Sequence, residues 1–96
     1  MIQHVVLFRL KDTSAENIQK TKEVLLSMEG NVPMLRGIQV GVDLLHSGRS
    51  FDIGLFVKLD DMAALDAYQN DPYHCGVVKK HMHAVRSDSV AIDFEI

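Results

Sequence analysis

The sequence predicts an α+β fold, a four-stranded antiparallel sheet with its helices on one face. Three observations carry this expectation: four segments alternate apolar and polar residues at period two, intervening segments repeat at helical spacing, and the order is βαββαβ. Residues 2 to 10, IQHVVLFRL, are rich in β-branched and aromatic residues with no Gly or Pro, so they read as a strand. Its even positions are Ile2, His4, Val6, Phe8 and Leu10, and its odd ones Gln3, Val5, Leu7 and Arg9.

Thr13 and Glu16 form a T-x-x-E capping box, and Ile18, Thr21, Leu25 and Met28 make an apolar stripe, predicting a helix over 14–28 closed by Gly30 and Asn31. GIQVGVDLL (37–45) alternates with Ile38, Val40, Val42 and Leu44 on one side. FDIGLFVKL (51–59) does the same with Phe51, Ile53, Leu55, Val57 and Leu59, and HSGRS between them predicts a hairpin with a short loop. Asp60 is placed to cap a helix through DMAALDAYQN, and Asp71 with Pro72 provides an N-cap and a first-turn proline for another. The last run, SVAIDFEI, alternates again, which predicts Val90, Ile92, Phe94 and Ile96 inward against Ala91, Asp93 and Glu95. This is the ferredoxin-like arrangement.

With 96 residues, the chain is too short for two cores, and 1–96 reads as a single domain of ordinary globular composition, 47% hydrophobic and 24% charged. A net charge of -3 and a single adjacent cationic pair, Lys79–Lys80, argue against nucleic acid. The start, MIQHVVLFRLKD, lacks a cationic leader and is too short an apolar run to span a bilayer, so no membrane association and a cytoplasmic location are expected. One cysteine, Cys75, precludes an internal disulfide and fits a reducing compartment.

A domain this small gains from pairing. The sheet face away from the helices is read as mixed, with Val5, Leu7, Phe56 and Ala91 among Gln3, Gln39, Asp43 and Asp93, and Gly41 and Gly54 there permit close approach. A homodimer packed through that face is the expectation.

Three of five histidines lie in AYQNDPYHCGVVKKHMH, residues 67 to 83. At about 100° per residue, Cys75, Val77, Val78, Met82, Ala84 and Val85 fill one arc with His74 and His81 near its centre, while Lys79, Lys80 and His83 fall opposite. His83 and the turn residue His46 are expected in solvent, Tyr73 at the surface or on a lid, and Cys75 in packing. Tyr68 and His4 point, by the same periodicity, into the space between sheet and helices with His74. His81 reads as a core histidine with a satisfied partner. His4, His74 and His81 could supply metal nitrogens, but no HExxH or CxxC spacing accompanies them, so neither metal nor cofactor is expected.

Acid/base chemistry suits these residue types. A histidine in an apolar pocket stays neutral and takes a proton, and a phenol donates to a carbonyl becoming an enolate. The candidate catalytic residues are His74 as base, Tyr68 to polarise a carbonyl, and His4 to assist. The ligand they imply is a small apolar carbonyl compound.

The segments HVVLFRLK (4–11), GIQVGVD (37–43), FDIGLFVKLDD (51–61) and AYQNDPYH (67–74) together resemble the stress-responsive A/B barrel domain family. That resemblance implies a ferredoxin-like chain that dimerises sheet to sheet into an α+β barrel. The family includes a cofactor-free polyketide cyclase whose tyrosine and histidine lie in a Y-x-x-x-P-x-H segment, matched here by Tyr68, Pro72 and His74, and whose first-strand histidine matches His4. A further tyrosine of that enzyme falls at Leu25 here, a departure that bears on the cyclase's substrate and leaves the Tyr68–His74 dyad intact. Cyclase-like or isomerase-like turnover is one expectation from the resemblance. The alternative is a non-catalytic, stress-related or ligand-binding dimer.

Overall fold

The computed structural model describes residues 1–96. Strands β1 (Ile2–Leu10), β2 (Gly37–Val42), β3 (Ile53–Leu59) and β4 (Arg86–Glu95) form one antiparallel sheet in the order β2-β3-β1-β4. Helices α1 (Ala15–Leu26) and α2 (Met62–Gln69) cover one face, together with a π-helical turn, His74–Lys79, that runs directly into α3 (Lys80–Val85). The βαββαβ order and the one-sided helical layer match the sequence pattern.

The closed barrel that the resemblance implies is not formed. The sheet is open, with β2 and β4 as its two edges. Four strands, each turned some 20–25° from its neighbour, twist without bringing the first back to the last, and barrels of about eight strands are the small closed ones.

The core lies between the sheet and the helices. It joins Phe8 and Leu10 of β1, Ile53, Leu55, Val57 and Leu59 of β3, Leu25 of α1, Met28 and Val32 beyond it, Leu65 and Tyr68 of α2, Val78 of the π turn and Met82 of α3. The α1 stripe packs as its spacing predicts, with Thr21, Leu25 and Met28 all excluded from solvent.

Local punctuation differs from the sequence expectation in four places. Ser14, rather than Thr13, caps α1 by accepting from the Asn17 amide at 3.3 Å, while Asp12 accepts from the Ser14 amide at 2.9 Å. Asp61, not Asp60, caps α2 through the Ala64 amide at 2.8 Å, and Asp60 instead pairs with Arg36. The β2–β3 connection is ten residues, 43–52, rather than a short turn, and its last residue is tied to β1, the Asp52 carboxylate accepting from the Leu10 amide at 2.8 Å. Leu44 consequently leaves the sheet and is 91% exposed, and His46 takes a left-handed conformation (φ 54°).

The fourth difference is β4, whose faces are opposite to the expectation. Val5 stands across from Ile92, Leu7 from Val90 and Gln3 from Phe94, whereas His4 stands across from Asp93 and Val6 from Ala91. Directly opposed residues share a face, so the apolar side of β4 joins Val5 and Leu7 on the open face, and Ser89, Ala91 and Asp93 turn to the helical side. An apolar alternation shows that a strand has two faces without showing which one the helices cover.

Candidate functional site

Each element delivers its side chain for a local reason. Asp71 caps the segment opened by Pro72 by accepting from the His74 amide at 2.9 Å, which fixes the direction in which His74 leaves the backbone. The π turn then winds more loosely than an α-helix, so His74 and Val78 share the buried side while Cys75 and Val77 rotate outward. Cys75 is therefore exposed rather than packed, its thiol donating to the Gln69 carbonyl at 3.3 Å.

The π turn stacks the His74 ring on Tyr68, with centroids 4.1 Å apart and planes 23° from parallel. Tyr68 is 0% exposed, and His4 meets it edge-on at 5.6 Å. The three candidate residues are thus brought together, as their periodicity implies. A carbonyl only accepts, so the 2.8 Å contact between His74 Nδ1 and the Tyr68 carbonyl places the proton on Nδ1. Neutral His74 then carries its free lone pair on Nε2. Burial pulls the His74 pKa below its ordinary 6.5; the Tyr68 carbonyl opposes, the charges of Lys79 and His4 add to the lowering, and Asp71 opposes.

The Tyr68 phenol is pushed up, first by burial and then by Asp71, so it remains protonated. Its only partner is the weak acceptor Met28 Sδ at 3.7 Å. The hydroxyl therefore keeps donor capacity for a stronger acceptor.

His4 Nδ1 is hydrogen-bonded to the Asp93 carboxylate. Because a carboxylate is acceptor-only, this contact holds the His4 ring with its proton on Nδ1 and Nε2 turned away. Asp93 was not among the sequence candidates, since the inverted β4 assignment put it on the other face. The available signal was His4 itself: a histidine buried in the first strand needs a partner, and the antiparallel neighbour supplies an acid.

These side chains line a cavity of about 340 Å³ whose wall includes His4, Val6, Leu25, Leu55, Tyr68 and His74. The volume is near the lower end of the range of roughly 300–1,000 Å³ typical of small-molecule sites. Leu25, Leu55 and Val6 make this wall apolar.

The remaining histidines lie elsewhere. His81 is half-buried, with Nε2 3.0 Å from the Thr21 hydroxyl, and its pKa is lowered by burial and by Lys20. His83 is exposed but borders the cavity, and His46 is exposed beside Asp43. Tyr73 is not a free surface aromatic; it is half-buried against the core, its hydroxyl donating to Ser27 Oγ at 2.8 Å. No three His, Cys, Asp or Glu side chains surround a common point as metal ligands do.

The sequence profile of the stress responsive A/B barrel domain family matches residues 2–96. Among solved structures, a dimeric ferredoxin-like protein of unknown function from Thermobifida fusca is 26% identical, with 99% of this chain and 90% of that one covered and a TM-score of 0.85. A protein from Arabidopsis thaliana is 16% identical, with 100% and 95% covered and a TM-score of 0.86. A hydroxynitrile lyase from Passiflora edulis is 17% identical, with 99% and 92% covered and a TM-score of 0.80. The comparison with curated proteins gives no match.

Proposed function

The chain belongs to the stress responsive A/B barrel domain family, and on that premise we propose that it forms a homodimer whose subunits each perform cofactor-free acid/base chemistry on a small carbonyl compound. His74 Nε2 takes a proton from the carbon beside the carbonyl. The Tyr68 hydroxyl donates to the carbonyl oxygen as it gains enolate charge, the His74 imidazolium returns the proton, and His4, oriented by Asp93, assists by holding the Tyr68 ring edge-on. Atoms balance in this cycle, because the proton leaves carbon for His74 and is returned to the substrate without an oxidant or reductant.

The observation that carries the reading is the stacked Tyr68–His74 pair, with Nδ1 committed to the Tyr68 carbonyl and an underused phenol beside it. The fold alone does not select the reaction; a hydroxynitrile lyase shares it. In deuterated buffer, wild-type protein should accelerate exchange of the α-protons of 2-nonanone, followed by proton NMR. His74→Ala and Tyr68→Phe should each lower the enzymic rate by about 10²-fold or more. Exchange no faster than buffer would remove the catalytic reading.

The non-catalytic alternative has one observation in its favour, the complete burial of Tyr68 with its hydroxyl on Met28. Saturable binding of 2-nonanone without exchange would establish that reading instead.

The dimer reading rests on the open face, where Phe56, Val90, Ile92 and Phe94 are exposed around Val5 and Leu7. Contiguous apolar surface of this kind marks an interaction site. The Thermobifida fusca protein of the same fold is dimeric.

A further inference from the structure

The proposed carbonyl chemistry accounts for the floor of the cavity and leaves its rim unused. Tyr68, His74, His4, Leu25 and Val78 are buried, whereas Lys79 and Arg86 are half-exposed and His83 is exposed. All three basic residues line the same cavity. No aspartate or glutamate does, although the chain carries 13 acidic against 10 Lys and Arg residues. Asp93 is taken up by His4 and Asp71 by the His74 amide, so neither carboxylate neutralises the rim.

The basic side chains of the rim are also sparsely engaged. Lys79 Nζ donates to the Gln69 carbonyl at 2.8 Å, a neutral acceptor that leaves its charge unpaired. Neither Arg86 nor His83 forms an ion pair. Arg86 is the first residue of β4 and follows α3 directly, so both its backbone flanks are held in regular structure. A guanidinium in this setting presents a rigid fork suited to bidentate recognition of a carboxylate or phosphate.

Resting on the carbonyl reading of the cavity, we propose that the substrate is an amphiphile: an apolar carbonyl-bearing body seated against Leu25, Leu55 and Val6, and an anionic head group held at the rim by Arg86 and Lys79. The rim sets which end enters. An apolar tail is drawn inward, and the head remains where water and the two cations solvate it.

The test compares octanoate with 2-nonanone, which has the same chain and replaces one carboxylate oxygen by a methyl group, using calorimetric titration at low salt. Octanoate should bind wild-type protein about ten-fold more tightly, and the advantage should collapse in Arg86→Gln and shrink in Lys79→Gln while 2-nonanone binding is unchanged. Arg49→Gln, the same charge change on the distant β2–β3 connection, should leave both affinities intact. Octyl phosphate in place of octanoate distinguishes the head groups: the tighter of the two names the natural anion, and either result with Arg86 dependence supports the rim. Equal affinity for octanoate and 2-nonanone overturns the anionic head while leaving the carbonyl pocket standing. So does an octanoate advantage that Arg86→Gln does not reduce. Failure of both ligands to bind overturns the pocket and the rim together. If Arg86→Gln disturbs folding, Lys79→Gln alone decides, since that change leaves β4 untouched.

Discussion

His74 is a buried base whose environment favours its neutral form, and this has a thermodynamic sign. Its folded pKa lies below the unfolded 6.5, so between the two values the unfolded chain binds more protons. The stabilisation is full above pH 6.5 and is lost as pH falls through the lowered value. Urea midpoints should therefore drop between pH 7 and pH 5, and the drop should be smaller in His74→Gln; His81, shifted the same way, accounts for part of what remains. Equal slopes in the two proteins would refute this, and direct NMR titration of His74 gives the same answer independently. Tyr68 separates packing from donation. Tyr68→Ala should cost about 3–5 kcal/mol, because a fully buried ring leaves a cavity, whereas Tyr68→Phe removes only a weak bond to sulfur and should cost less than about 1 kcal/mol. Asp93→Asn should mix the His4 tautomers, read from imidazole nitrogen shifts; an unchanged spectrum would mean that Asp93 does not orient the ring. His4, Tyr68 and His74 were legible because each sits on an apolar periodicity that it interrupts. Asp93 was not, because its partner lies 89 residues away in sequence and only strand register brings the two together.

At the level of elements, β1, α1 and β3 were legible because their apolar residues repeat cleanly and face a single core. The segment after Pro72 was only half legible. A fixed advance of about 100° per residue places Cys75 and Val77 inward beside His74, Val78 and Met82, but along the π turn only the last three are buried and Cys75 and Val77 are exposed. No residue type announces such a turn; its benefit, the stacking of His74 on Tyr68, is tertiary. Gly76 lies within it, exposed, with a negative φ and no atom within 4 Å of where a β-carbon would stand. Gly76→Ala should therefore raise stability by about 0.4–1 kcal/mol, mainly by restricting the unfolded chain, as a thermal or urea transition will show. A loss of stability would indicate that the turn needs glycine's freedom. Gly30, at φ 84°, should respond in the opposite sense, since alanine there is strained.

For the molecule as a whole, the open sheet face decides assembly. Ile92 is 61% exposed between Val90 and Phe94 on the apolar face of β4, so Ile92→Glu should leave the 10.8 kDa chain folded by circular dichroism but monomeric by light scattering, whereas the parent should be twice that mass at micromolar concentration. A parent that is already monomeric would refute the interface. The two-layer architecture was legible from the order of elements, and the open edges were not, since the resemblance pointed to closure that four twisted strands do not reach. β4 carries a last implication, for which kinds of genetic change the chain tolerates. Its successive residues serve alternately the exposed apolar surface and the histidine pocket, with Ile92 on one side and Asp93 on the other. A substitution at either position damages one of these and spares the other. Gain of a single codon between Ser89 and Ile92 exchanges the two sets at once, setting Ile92 against His4 and Asp93 on the apolar face, and loss of one sets Phe94 against His4 with the same fate for Asp93. Lineages of this chain should therefore vary in composition along β4 while keeping its length fixed.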